Sequence, residues 1–235
     1  MGVPASVRRL ARAIPAVLLA TAALSGGAPS PAVADHGGAP LGSLLDCARP
    51  VIPPRCVSVG DNFRHYVYID ASVPSALAES VRRAMREAYA PTALRMIEQR
   101  TVNRLTDVIV YAADHGQNGA AGWVYCPADA PQGTNGQGDR WCRHQELHFN
   151  LNARYAAFFA DDDSRTHLAC HEIGHSVGLR HWGNPPRSDG PAAATCMTAD
   201  TPNGHPNLDR RDRAHLNAYY ARPTLSLEKR CASEL

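Results

Sequence analysis

Between Arg64 and Ile69 the chain alternates, with Tyr, Val and Ile prominent, which predicts a first strand. The period then changes. Leu77, Val81, Met85 and Ala88 recur at helical spacing behind Ser72-Val73-Pro74, a helix start, and Pro91 lies just past the end. Residues 94–101 and 106–111 fit two further strands. Residues 121–125 and 146–151 fit two more, separated by a Gly-rich loop over 127–139. A second helix is expected from about Ser164 to Val177, capped by Asp163 or Ser164 and ended in a left-handed turn at Gly178. A Pro/Gly-rich loop covers 183–206. The last helix starts near Asp209, whose carboxylate can cap it, and buries Ala214, Leu216 and Tyr219 or Tyr220. This order predicts an α+β (α/β-like) domain with a mixed, twisted five-stranded sheet and three main helices. No period of about 20–50 residues recurs, which excludes solenoids and propellers.

The N-terminal stretch belongs to a different class of segment. Arg8, Arg9 and Arg12 precede an apolar run over 13–24, and Ala32-Val33-Ala34 stands before Asp35. That pattern reads as a secretory signal peptide, 1–34, with the general export route favoured over the twin-arginine route that Arg8-Arg9 could also signal. Its apolar run is shorter than the roughly 20 residues that span a bilayer, so no membrane span is expected after its removal. Residues 35–62 read as an irregular lead-in rich in Gly, Pro and Ala, and 63–235 as the folded domain. The expected location is extracellular, as a monomer. The chain carries 24 basic and 22 acidic residues, a formal charge of +2, which leaves no electrostatic footprint for nucleic acid. Seven cysteines in an exported chain imply disulfides. Sequence neighbours are the preferred pairs: Cys47–Cys56, Cys126–Cys142 and Cys170–Cys196, with Cys231 left over.

The chemistry concentrates in His171-Glu172-Ile173-Gly174-His175-Ser176-Val177-Gly178-Leu179-Arg180-His181. Positions i and i+4 share one helix face, so His171 and His175 can aim at one ion. Gly178 can adopt positive φ and let the chain bring His181 back to it. Three protein ligands leave a coordination position open, as in a catalytic zinc site and unlike a closed structural one. One catalytic Zn2+ is expected there, with Glu172 as general base and then general acid toward a zinc-activated water. His167 lies one turn before His171 but outside the motif. Asp161-Asp162-Asp163 reads as favourable charge at a helix N-terminus.

With its third histidine, the motif resembles the metzincin clan of zinc endopeptidases. Thr195-Cys196-Met197-Thr198 is similar to the clan's Met-containing turn, which implies that Met197 lies as a floor under the ligands. The closest likeness is to the matrixin-like branch, secreted bacterial type. It rests on Thr106-Asp107-Val108-Ile109-Val110, Gly119-Ala120-Ala121-Gly122-Trp123-Val124-Tyr125-Cys126-Pro127, Leu147-His148-Phe149-Asn150 and the segment from Leu208-Asp209 through Tyr219. The resemblance implies a polypeptide substrate extended along the edge strand near 122–125, and a specificity pocket walled by residues around 198–203. It departs from the branch in three places. Only His148 matches the ligands of a second, structural zinc, so none of that kind is expected. The loop from His181 to Met197 is long for the branch. Pro54-Arg55-Cys56 resembles a latency motif, but no folded prodomain fits and Cys47 offers a disulfide. The expected function is therefore a secreted zinc-dependent endopeptidase. The alternative is a catalytically inactive zinc module that binds a polypeptide through the same groove. Denatured, unreduced mature protein should titrate one thiol per chain, at Cys231; free thiols at both Cys47 and Cys56 would overturn the pairing.

Overall fold

The computed structural model describes residues 58–134, 139–181, 195–198 and 202–221, all in the second of two compact units, 36–235. The signal peptide, Cys47, Cys56, Cys231, the whole loop between His181 and Thr195, and residues 199–201 of the expected pocket wall lie outside the described residues. Seven strands are described: β1 (Arg64–Ile69), β2 (Arg95–Gln99), β3 (Val108–Ala113), β4 (Gly122–Tyr125), β5 (Gln132–Thr134), β6 (Arg140–Cys142) and β7 (Gln145–Asn150). Five of them form one mixed sheet in the order β2-β1-β3-β7-β4. The first four run parallel and β4 is antiparallel at the edge. The expected fold class is borne out.

One sheet face carries Val67, Val108, Val110, Val124, Leu147 and Phe149, all buried. Against it pack α1 (Ser75–Ala84) and α2 (Asp162–Ser176), as parallel strands require for cover. Leu77, Val81, Met85 and Ala88 form the buried stripe read from the sequence. At Met85–Tyr89 the first helix widens into a π-turn, which carries Tyr89 inward to donate to the carbonyl of Cys170 on α2. The third helix, α3 (Arg210–Tyr220), opens on Asp209, whose carboxylate accepts from the amides of Arg211 and Asp212 in a capping box.

Several local expectations are corrected. The cap of α2 is Asp161, which accepts from Ser164 N at 2.8 Å, so the helix starts earlier than Asp163 or Ser164 would place it. Asp162 and Asp163 instead pair with Arg165 and Arg83. The Gly-rich stretch after β4 is not all loop: β5 and β6 make a hairpin there, closed by the Cys126–Cys142 disulfide. Ala214 faces solvent, while Leu216, Tyr219 and Tyr220 are buried. Residues 58–62, read as lead-in, are buried against the domain, with Val59 bridged to Trp141. A 3₁₀ segment, Ala153–Phe159, precedes α2 and carried no sequence signal.

The C-terminal end of α2 is held by three side chains from other elements. Gln145 Nε2 donates to Ser176 O at 2.9 Å, and Tyr220 Oη donates to Val177 O at 3.0 Å. Tyr220 Oη in turn accepts from Gly60 N at 2.8 Å. Ser176 Oγ spends its proton on Ile173 O, so His65 Nε2 must be the donor to Ser176 Oγ at 3.0 Å. His65 is wholly buried, and desolvation pulls its pKa down to about 3, keeping the ring neutral. These bonds take up carbonyls that a helix end otherwise leaves without donors. Tyr220→Phe should cost about 1–3 kcal/mol, because it strips Val177 O of its donor and Gly60 N of its acceptor. Urea denaturation checks this, and an unchanged midpoint would refute the lock.

Candidate metal centre

Helix α2 places His171 and His175 one turn apart, and the chain then reverses at Gly178, where φ is 96°. The reversal is a Schellman turn. Leu179 N donates to Gly174 O at 2.8 Å and Gly178 N to His175 O at 3.2 Å. Only a residue without Cβ takes that backbone without strain. The turn delivers His181 to the other two rings. The three Nε2 atoms lie 2.9 Å (His171–His181), 3.0 Å (His175–His181) and 3.1 Å (His171–His175) apart. Among the described residues this is the group of His, Cys, Asp and Glu side chains that could hold a metal ion.

The tautomers sharpen that reading. His171 Nδ1 donates to Cys196 O at 2.7 Å, and His175 Nδ1 donates to Leu179 O at 2.8 Å. Each neutral ring therefore presents a bare Nε2 lone pair to the other. Desolvation and the neighbouring imidazoles push the His171 pKa well below its usual value, so a ring proton is a poor way to relieve the repulsion. A cation among the three nitrogens relieves it. Zinc with Zn–N bonds of about 2.0–2.1 Å spaces tetrahedral nitrogens about 3.3 Å apart, within a few tenths of an ångström of this triangle. The donor set and the outer hydrogen bonds fit such an ion.

Glu172 is buried at the same level of α2, against β4. A Cβ on Gly122 would meet its Oε1 at 2.7 Å, its Cγ at 2.8 Å and its Cδ at 2.9 Å. The missing side chain of Gly122 is what lets the edge strand lie against this carboxylate. Beneath the helix, Met197 is fully buried, and a Cβ on Gly174 would overlap its Sδ and press on Tyr89 Oη at 3.1 Å. The Cys170–Cys196 disulfide ties the Met197 segment to α2, and Thr195 Oγ1 donates to Asp212 of α3. A cleft of about 620 Å³ opens between β4 and α2, lined by Gly122, Tyr155, Phe158, His171, Glu172 and Thr198 among others.

The residues singled out by sequence thus fall into two groups. His171, His175, His181 and Glu172 are brought together, and Met197 underlies them. His167 lines the cleft but donates through Nδ1 to His205 O at 2.9 Å. His148 stacks on Trp123, with centroids 5.0 Å apart and planes 7° apart, and its Nε2 meets Glu146 at 2.9 Å on the other face of the sheet from the buried core. The sequence reading placed Gly122 on the substrate-binding edge strand but missed its close approach to Glu172. A glycine inside a strand pattern, which marks a close backbone approach, was the available signal.

No protein-family profile matches the chain, and no curated protein matches it in sequence. Among solved structures it is similar to high choriolytic enzyme 1, a hatching enzyme zinc-protease from the medaka fish Oryzias latipes. The TM-score is 0.38 and the identity 13%, over 68% of this chain and 90% of that one. So loose a likeness has no bearing on chemistry.

Gly174→Ala tests the packing under the histidines. The added methyl should destabilise the fold by about 1–3 kcal/mol, through displacement of Met197 and Tyr89. Thermal unfolding with and without zinc measures it, and an undiminished midpoint would show that the Met197 contact has slack.

Proposed function

We propose that this protein is a secreted, monomeric zinc-dependent endopeptidase of metzincin type, nearest the matrixin-like branch, acting on extended polypeptide. The observation that carries the reading is a buried carboxylate, Glu172, beside three converging imidazoles and facing a sheet edge. His171, His175 and His181 would hold one zinc ion. Bound zinc lowers the pKa of water and polarises a carbonyl. Glu172 takes the water's proton on its carboxylate and passes it to the leaving amine, so one group serves as base and then acid. No separate protein nucleophile is required.

Substrate orientation follows from β4. Asn150 N donates to Ala121 O at 2.8 Å, and the antiparallel pairing alternates from there. The main-chain groups of Gly122 and Val124 therefore point away from β7, toward the cleft side. An extended peptide can add to that edge as a further strand and bring a carbonyl beside Glu172. The cleft walls of Tyr155 and Phe158 offer apolar surface for its side chains.

Glu172→Gln should lower cleavage of casein by a factor of about 10²–10⁴ while the protein keeps one zinc per chain. A chelator should abolish wild-type cleavage, and added zinc should restore it. A folded, zinc-loaded wild type that cleaves neither casein nor a mixed peptide library would overturn the endopeptidase reading in favour of a non-catalytic binding module.

A further inference from the structure

We propose that Asn150 is a positioning residue that fixes the segment leading into β4, and through it the alignment of the peptide-binding edge with Glu172. This rests on the endopeptidase reading above. Asn150 ends β7 and its side chain is wholly buried. Its Oδ1 accepts from His115 N at 3.0 Å and Asn152 N at 3.1 Å. Its Nδ2 donates to Gly116 O at 2.9 Å, Asn118 Oδ1 at 3.0 Å and Ala120 O at 3.2 Å. Two N–H groups thus serve three oxygens, one bond being shared. A single amide grips both ends of a stretch that has no helix or strand of its own.

Companion bonds close the same segment. Asp114 Oδ1 accepts from Gly116 N at 2.8 Å and Asn152 Nδ2 at 2.9 Å. Tyr155 Oη accepts from Gly119 N at 2.7 Å. Tyr155 also lines the cleft, so the segment is braced by the wall of the site itself. The chain then runs through Ala121 into Gly122, where the strand lies close against Glu172. With a Cβ position only 2.7 Å from Glu172 Oε1, a shift of this segment changes the register of the edge against the carboxylate. Residues of β4 pair with β7 on one side only; the preceding segment holds the strand at its start, as the Cys126–Cys142 disulfide holds it at its end.

Chemistry separates hydrogen bonding from mere filling of space. Asp has nearly the shape of Asn but no N–H, so Asn150→Asp turns a carboxylate toward three oxygens. Asn150→Ala removes all five bonds. Both variants should be made in the full mature chain, loaded with zinc and compared with wild type by backbone amide exchange and by kinetics on a long peptide. The expected result is faster exchange confined to residues 115–125 in both variants, with one zinc per chain retained. kcat/KM should fall roughly tenfold, with kcat reduced as well as KM raised, the signature of substrate misaligned against Glu172. Wild-type exchange and kcat/KM in Asn150→Asp would overturn the proposal. So would faster exchange spread equally through α2 and β1, which would make Asn150 a general stability residue. An inactive wild type would overturn the endopeptidase reading alone, because the exchange comparison still decides whether Asn150 holds the segment.

Discussion

Three imidazole nitrogens held within 3.1 Å of one another, two of them presenting bare lone pairs, repel. The surrounding structure supplies the constraint that keeps them there. Each Nδ1 hydrogen bond is made to a backbone carbonyl whose place is set by something else. Cys196 O is placed by a disulfide to α2 and by Cys196 N donating to Asn207 O at 2.9 Å. Leu179 O is placed by the Schellman turn. The rings therefore cannot rotate apart without breaking bonds in two separate segments. A preorganised triad of this kind binds a cation without a large reorganisation cost.

Helix α2 is correspondingly tied along its length by hydrogen bonds. Asp161 closes its first turn, Tyr89 reaches the Cys170 carbonyl in its middle, and Gln145 and Tyr220 take the carbonyls at its end. These partners come from β7, α3 and the turn after α1, so every layer of the domain contributes to the orientation of one helix. Buried hydrogen bonds of this sort add specificity of placement, which packing of Leu and Val alone supplies less sharply. Met197 beneath Gly174 fills the remaining space, and the glycine is what permits so close an approach.

Helix and edge strand meet at Glu172 and Gly122. The sheet register brings Gly122 opposite Phe149 on β7, and the side of β4 away from β7 faces the cleft. Under the proposed function, this carboxylate would serve a main chain lying along that edge. The two halves of the site thus come from different parts of the topology, the donor triad from α2 and its turn, the edge from the antiparallel strand that closes the sheet.

How much of this was legible beforehand follows the range of each interaction. The spacing of His171, His175 and His181 is local, and Gly178 encodes the turn between them, so sequence alone determined the triad and its neighbouring carboxylate. The stripe Leu77, Val81, Met85 and Ala88, the alternation of β1 and the Asp209 cap are local too, and all were readable. The cap of α2 was misplaced because Asp161, Asp162 and Asp163 are equivalent in sequence; Arg83, from α1, and Arg165 claim two of them. The β5–β6 hairpin was missed because its strands are short and rich in Gly, and only cross-strand pairing and the Cys126–Cys142 bridge define them. Gly122 against Glu172, Gly174 over Met197, Tyr220 on Val177 and the grip of Asn150 on Gly116 join residues 23 to 50 positions apart. Sequence determined which groups could do the chemistry; tertiary structure decided what they face, because close approach and hydrogen-bond partnership between distant segments exist only once the sheet is formed.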